Sequence, residues 1–197
     1  PAGAESHSYE PTAQDVMKIG ACDVFVYVGG ESDTWIDGIL DSIDTQHITM
    51  IRLMDLVEPL EEEGEHTHET TQTQYDEHVW TSPRNAIDIV NALCDVFCQV
   101  DAAHEDAYLE HTKGYVEQLT ALDESFLQVV QEAETKTLVF GDRFPLLYFA
   151  HCYGLDYKAA YPGCAAQTEP NASAVADLID YVRQNDVPVV FCVELSN

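Results

Sequence analysis

The spacing of apolar residues predicts alternating strands and helices in the first half of the chain. Residues 23–30 and 48–55 are short apolar runs of the kind that forms strands buried on both faces of a sheet. A helix is expected from Pro11 to about Ala21. Between the two strands, a second helix is predicted by apolar residues at helical spacing, namely Trp35, Ile36, Ile39, Leu40 and Ile43.

A long helix is predicted near the middle of the chain, over residues 104–133. Its apolar residues are separated by sevens, fours and threes, and they form one stripe: Tyr108, Tyr115, Leu119, Leu122, Phe126 and Val129. At 1.5 Å per residue this helix would be about 45 Å long, which is enough to join two lobes. A preceding helix is predicted over 83–100, with a brief break around 101–103.

The second half repeats the pattern of strands and helices. Strands are predicted over 136–140, 155–161 and 187–194, and helices up to Tyr153 and over 173–185. Strands that alternate with helices imply parallel sheets. The predicted fold is therefore α/β, with two α/β lobes joined by one long helix. We expect an N-terminal lobe over 1–103, the connecting helix over 104–133 and a C-terminal lobe over 134–197.

The charge of the chain is strongly one-sided. Thirty-six Asp and Glu face eight Lys and Arg, for a formal net charge of −28 over 197 residues. Nucleic acid and anionic membrane surfaces are therefore not expected as partners, because both require clustered cations. Such a field concentrates metal cations, although a role in solubility or adaptation to salt explains the charge as well.

The cysteine spacing and the lengths of the apolar runs exclude further classes of protein. None of the six cysteines forms a C-x-x-C pair, which argues against zinc-ribbon and thioredoxin-like proteins. No apolar run approaches the roughly 20 residues that cross a bilayer. The chain starts without Met and stops just after a predicted strand, so we expect it to be shortened at both ends, with any targeting segment lost.

The stretch 58–83 combines acidic residues with three of the eight histidines, His66, His68 and His78. Its first part is polar and has the composition of a mobile loop. Its last part contains the apolar pair Val79 and Trp80 and then a helix-start signal. We interpret the stretch as a loop that delivers His78 to a fixed place. His66 and His68 form either a labile metal-collecting arm or a solvated loop with incidental histidines.

Two histidines precede helices of the first α/β unit. They are His7, in the sequence HSYEPT, and His78, in DEHVW. Ligands of open α/β sheets gather at the loops between strands and helices, and two neutral imidazoles there begin a zinc or other transition-metal site. Taken singly, His7 is also explained as a solvated loop residue and His78 as a packed one.

Weaker candidate ligands lie in the second half. Asp142, within the GDRFP sequence after a predicted strand, is a possible oxygen ligand, but it could equally cap the next helix or pair with Arg143. Glu194 and Cys164 are fainter candidates still. The chain has no G-x-S-x-G, no H-E-x-x-H and no phosphate-binding glycine loop, so we do not expect an enzyme.

The segments HSYEPT and DEHVWTSPRNA, together with the long helix, resemble the metal-binding components of ABC transporters of the ZnuA, AdcA and TroA type. The resemblance covers nearly all of the chain. It implies two α/β lobes around one rigid helix, with metal bound between the lobes by His7 and His78. The acidic stretch 61–69 is similar to the histidine-rich loop of the zinc-binding members.

The resemblance also implies an exported protein, in the periplasm or on the cell surface as a lipoprotein, that hands metal to a membrane permease. We expect a monomer. It would contact a membrane only through the permease or through an anchor that has been lost from this chain. The family's usual third ligand aligns with Arg143, which cannot bind a metal, so Asp142 beside it is the substitute. The family chains are also longer.

The expected metal site therefore consists of His7, His78 and Asp142. Its nitrogen ligands favour Zn²⁺ over Mn²⁺. Two alternative functions stay open at this point: a metal-dependent hydrolase that uses the same histidines, and a cell-surface adhesion or interaction protein in which metal is incidental.

Overall fold

The computed structural model describes residues 9, 11–62, 74–161 and 172–193. Several predicted features lie outside these residues: His7, the loop that carries His66 and His68, Cys164 and Glu194.

The first half forms a parallel α/β unit. Its elements are α1 (Ala13–Ile19), β1 (Val24–Tyr27), α2 (Thr34–Leu40) and β2 (Thr49–Arg52). The two strands pair in parallel, with Val24 opposite Thr49 and Tyr27 opposite Arg52. The predicted alternation of strands and helices is confirmed here.

The prediction that these strands are buried on both faces is wrong. Each has four residues, and in the described part of the chain each pairs only with the other. Val26 of β1 and Thr49 and Arg52 of β2 are exposed. Burial on both faces requires layers on both sides of a central strand, and a two-stranded sheet has no central strand.

Two long helices follow, as predicted. α3 (Pro83–Val100) starts with proline in its first turn, and Ser82 caps it by accepting a hydrogen bond from the backbone N–H of Asn85. A 3₁₀ turn (Ala102–His104) separates it from α4 (Glu105–Glu132). None of the helices in the described residues is long and apolar enough to cross a membrane.

The predicted apolar stripe of α4 is only partly correct. Leu119 is buried, whereas Tyr115, Leu122 and Val129 are exposed. Residues seven apart drift by about 20° around a straight α-helix at each step, so a stripe of sevens turns away from the packed face.

The second half contains another parallel unit. Its elements are β3 (Thr137–Phe140), α5 (Leu147–Tyr153), β4 (Asp156–Ala159) and α6 (Ala172–Gln184). β3 pairs in parallel with β4, and a small core of Phe140, Phe144 and Ala150 packs beside them. The α/β class, the parallel sheets and the long helix are thus confirmed, while the lobe limits at 103/104 and 133/134 stay a prediction.

The prediction of a buried strand over 187–194 is wrong. The backbone of Phe191 forms two hydrogen bonds with the end of β3, each 2.8 Å long. Its N–H donates to the Val139 carbonyl, and its carbonyl accepts from the Gly141 N–H. Its neighbours Val189, Val190 and Val193 are exposed, as Phe191 is itself. The segment touches β3 at one point of the sheet edge, which leaves its apolar side chains in solvent.

Asp123 ties α3, α4 and α5 together. Its carboxylate accepts hydrogen bonds from Arg84 Nε of α3, at 3.1 and 3.2 Å, and from the Tyr153 hydroxyl of α5, at 2.8 Å. Burial, and then the bond to Asp123, raise the pKa of the Tyr153 phenol well above its usual value. The long helix is therefore fixed to the two helices on either side of it in sequence.

We expect Asp123→Ala to lower the free energy of unfolding by about 1–3 kcal/mol, because it leaves the buried Tyr153 hydroxyl without its acceptor. Urea denaturation followed by circular dichroism measures the change. Glu124→Ala, at the exposed neighbouring position, is the matched control and should change stability by less than about 0.5 kcal/mol. Equal effects of the two substitutions would contradict the role of Asp123.

Candidate metal-binding site

The two ends of the predicted acidic loop, residues 60–62 and 74–76, are paired with each other by backbone hydrogen bonds and form the loop base. Leu60 and Glu62 face Gln74 and Asp76 in an antiparallel arrangement, in which Asp76 N–H donates to the Leu60 carbonyl and Glu62 N–H donates to the Gln74 carbonyl, both at 2.9 Å. An antiparallel bridge joins Glu61 to Tyr75 between them. The chain that leads to His78 is therefore fixed from Gln74 onward.

His78 is held by the carboxylate of Asp76. Oδ1 of Asp76 accepts a hydrogen bond from the His78 backbone N–H at 2.7 Å and lies 3.2 Å from His78 Nδ1. Asp76 is only 1% exposed, and the His78 side chain is 12% exposed. The same oxygen therefore fixes both the backbone and the ring of His78.

This contact determines what the imidazole can do chemically. A carboxylate facing Nδ1 favours the tautomer that carries its proton there, which puts the lone pair on Nε2. Metal-binding histidines commonly show this pairing, because the carboxylate orients the ring and makes the other nitrogen more basic. The geometry of His78 suits a nitrogen ligand for a metal ion.

Glu77 anchors the same segment to the loop that precedes α2. Its Oε1 accepts a hydrogen bond from the Ser32 backbone N–H at 2.7 Å, and the residue is buried. A Cβ at Gly30 would overlap the Glu77 side chain, so glycine is required there for the close approach. Asp33 stiffens the loop further by accepting from the backbone N–H groups of Val28 and Gly29, at 2.8 and 2.9 Å.

Tyr148 connects His78's segment to the second half of the chain. Its hydroxyl donates to the Asp76 carbonyl at 2.8 Å and accepts from the Leu60 N–H at 3.2 Å. Burial raises the pKa of this phenol, which keeps it a donor. The ring packs in one core with the fully buried Val79, Met54 and Ile89.

The two apolar residues that follow His78, Val79 and Trp80, differ in their burial. Val79 is buried in this core, whereas Trp80 is about half exposed, with its ring 5.7 Å from the His78 ring. The packed residue beneath the histidine is thus Val79, and Trp80 covers one side of it at the surface.

The segment after His7 is also anchored near α2. Tyr9, two residues along from His7, donates a hydrogen bond to Asp15 at 2.7 Å, and its ring packs against Trp35 at 5.5 Å. Trp35 belongs to α2, and Ser32, the partner of Glu77, lies just before it. Both predicted histidine motifs therefore contact the start of α2, although His7 itself lies outside the described residues.

Asp142 has a local role in the structure. Its Oδ1 accepts from the Arg143 backbone N–H at 2.8 Å, while the Arg143 guanidinium lies 5.8 Å from the centre of the Tyr161 ring. Among the described residues, no group of three or more His, Cys, Asp or Glu side chains is arranged to hold a metal ion. The ligand assignments of His7 and Asp142 stay predictions.

Sequence reasoning missed three residues that position His78. Asp76 and Glu77 stand directly before it, and the signal was present: two carboxylates lie where a polar loop becomes apolar. Sequence reasoning placed them in the fixed last part of the stretch but gave neither carboxylate a role in holding His78. Tyr148 carries no such signal, because it looks like any aromatic residue of an apolar helix.

We expect Tyr148→Phe to lower the free energy of unfolding by about 1–3 kcal/mol, since Leu60 N–H and the Asp76 carbonyl lose a buried partner. Urea denaturation gives the value. Tyr115→Phe, which removes an exposed hydroxyl from α4, serves as the control. If both variants keep wild-type stability, Tyr148 does not support the loop base.

Comparison with known proteins finds relatives that are named for zinc binding and zinc uptake. The chain is 32% identical to the zinc-binding lipoprotein AdcA of Streptococcus pneumoniae, over 96% of this chain and 39% of that protein. It is 29% identical to the high-affinity zinc uptake system protein ZnuA of Bacillus subtilis, over 100% of this chain and 63% of that protein. The chain therefore spans less than two thirds of the length of these curated relatives.

A solved structure is also similar to this chain in its overall fold. The Zn(II)-bound ZnuA-like domain of Streptococcus pneumoniae AdcA aligns with a TM-score of 0.75 and 29% identity, over 97% of this chain and 67% of that one. The model of the family described as "ZnuA: Zinc-uptake complex component A periplasmic" matches residues 1–197. Since that match covers the whole chain, the protein belongs to the ZnuA family of zinc-uptake components.

Proposed function

We propose that this chain binds Zn²⁺ outside the cytoplasm and delivers it to the permease of an ABC importer. The observation that carries the proposal is the pairing of His78 with the buried Asp76, which orients an imidazole as metal-binding histidines are oriented. The names of its relatives, a zinc-binding lipoprotein and a zinc uptake protein, support zinc as the cargo.

His7, His78 and Asp142 are the proposed ligands. The anchoring of Tyr9 against Trp35, and of Glu77 against Ser32, supports a common location for the two histidines beside the start of α2. Asp142 would add an oxygen ligand from the second half of the chain. Two imidazoles and one carboxylate suit Zn²⁺ better than Mn²⁺, which prefers oxygen ligands.

A receptor accounts for the chain better than an enzyme does. Its family is named for zinc uptake, and the sequence contains no hydrolase motif. The net charge of −28 raises the local concentration of divalent cations near the protein. We propose a monomer, in the periplasm or held at the cell surface as a lipoprotein, that docks on the permease when loaded.

Zinc titration of two histidine variants tests the proposal. We expect His7→Ala and His78→Ala each to weaken Zn²⁺ binding by at least about 100-fold, more than is usual for losing an outer partner of a ligand. Isothermal titration with a competing chelator measures the affinity. His111→Ala removes an exposed histidine of α4 and is the control.

Unchanged affinity in both His7→Ala and His78→Ala, beside a normal His111→Ala, would contradict the assignment. Tighter binding of Mn²⁺ than of Zn²⁺ by the unmodified chain would contradict zinc as the cargo. Turnover of a hydrolysable ester or phosphate that a chelator abolishes would favour the hydrolase instead.

Asp76→Asn should weaken Zn²⁺ binding by about 10- to 100-fold, because an amide orients the imidazole less firmly and does not raise its basicity. The same titration measures the change, and circular dichroism checks that the fold is kept. Asp88→Asn, on the exposed face of α3, has the same change of charge and should bind like the wild type. Equal affinities for the two variants would contradict a role for the contact between Asp76 and His78.

A further inference from the structure

Two thiols lie close together on one face of α3, away from the segment that carries His78. Cys94 and Cys98 are four residues apart, and their Sγ atoms are 3.9 Å from each other. Cys94 is buried and Cys98 is partly buried. They are free thiols, and the proposed zinc site does not use them.

The separation of the two sulfur atoms fits a shared metal ion. Two thiolates bound at about 2.3 Å to a tetrahedral ion lie about 3.8 Å apart, almost the distance observed here. A cation could therefore bridge Cys94 and Cys98 with little movement of either side chain.

A disulfide fits this helix less well. Side chains four residues apart on a helix have Cβ atoms about 5–6 Å apart, whereas a disulfide requires about 3.5–4.5 Å. Closing that gap would distort α3, an 18-residue helix that packs along α4. The pair is better placed to chelate than to oxidise.

The surroundings of the pair favour a cation. Cys98 lies in the last turn of α3, where the helix dipole places partial negative charge. Burial, then the contact with Cys94, raise the pKa of the Cys98 thiol, and the carboxylates of Glu105 and Asp95 act in the same direction. A cation is attracted by the same carboxylates and helix end that disfavour the bare thiolate.

The pair is distant from His78. At 1.5 Å per residue, Cys94 and Cys98 lie about 17 and 22 Å along α3 from its first residue, Pro83. His78 precedes that first residue. The two locations are therefore at opposite ends of the helix.

We propose that Cys94 and Cys98 form a second metal site, for soft thiophilic cations such as Cd²⁺, Zn²⁺ or Cu⁺. A divalent ion forms two metal–sulfur bonds and displaces two thiol protons to solvent, so no oxidant or reductant is involved. Water completes the coordination. The proposal does not depend on the zinc-receptor function, since it concerns different residues.

Cadmium titration of the whole chain tests this site, because a cadmium–thiolate bond absorbs in the ultraviolet and a cadmium–imidazole bond does not. We expect a charge-transfer band that saturates near one Cd²⁺ per chain. Cys94→Ser/Cys98→Ser should lose the band, with cadmium affinity at this site falling by at least about 100-fold, more than the loss of an outer ligand partner causes. His78→Ala should keep the band, as should the control Cys22→Ser/Cys192→Ser.

A second measurement needs no substitution. Alkylation with and without Cd²⁺, followed by peptide mass spectrometry, should show the partly buried Cys98 protected by the metal and the exposed Cys192 modified in both samples. An undiminished band in Cys94→Ser/Cys98→Ser would overturn the proposal. So would equal alkylation of Cys98 with and without cadmium in the unmodified chain.

Discussion

The position of His78 depends on two buried carboxylates that stand next to each other in the sequence. Asp76 holds the backbone and the ring of His78, and Glu77 holds the loop before α2. A carboxylate is costly to bury unless hydrogen bonds satisfy it, and here backbone N–H groups supply them on both sides. In a chain of net charge −28, these two acids act as structural residues and not as part of the solvated surface.

The rest of the architecture converges on the same segment. Val79 closes the core beneath it, and Tyr148 reaches it from α5, across a sequence separation of 72 residues. Asp123 fixes α5 to α3 and α4, so the long helix holds in place the tyrosine that supports the loop base. His78 thereby gains a rigid setting, which a metal receptor requires of its ligands.

The sequence was sufficient to predict what depends on local pattern. α3 and α4 are long and periodic, so their limits were predicted to within about two residues. The motif around His78 carried part of the family resemblance. Burial of β1 and of the segment around Phe191 was mispredicted, because it depends on which strands lie beside them. The contacts of Glu77 and Tyr148 could not be predicted for the same reason: their partners are 45 and 72 residues away.

The central claim is that Asp76 and Glu77 present His78 as a zinc ligand. X-ray absorption at the zinc edge tests it most directly, on the chain loaded with one Zn²⁺ and on His78→Ala under the same conditions. We expect nitrogen and oxygen neighbours at about 2.0–2.2 Å with imidazole scattering in the wild type, and weaker imidazole scattering in the variant. Identical spectra for the two proteins would contradict it.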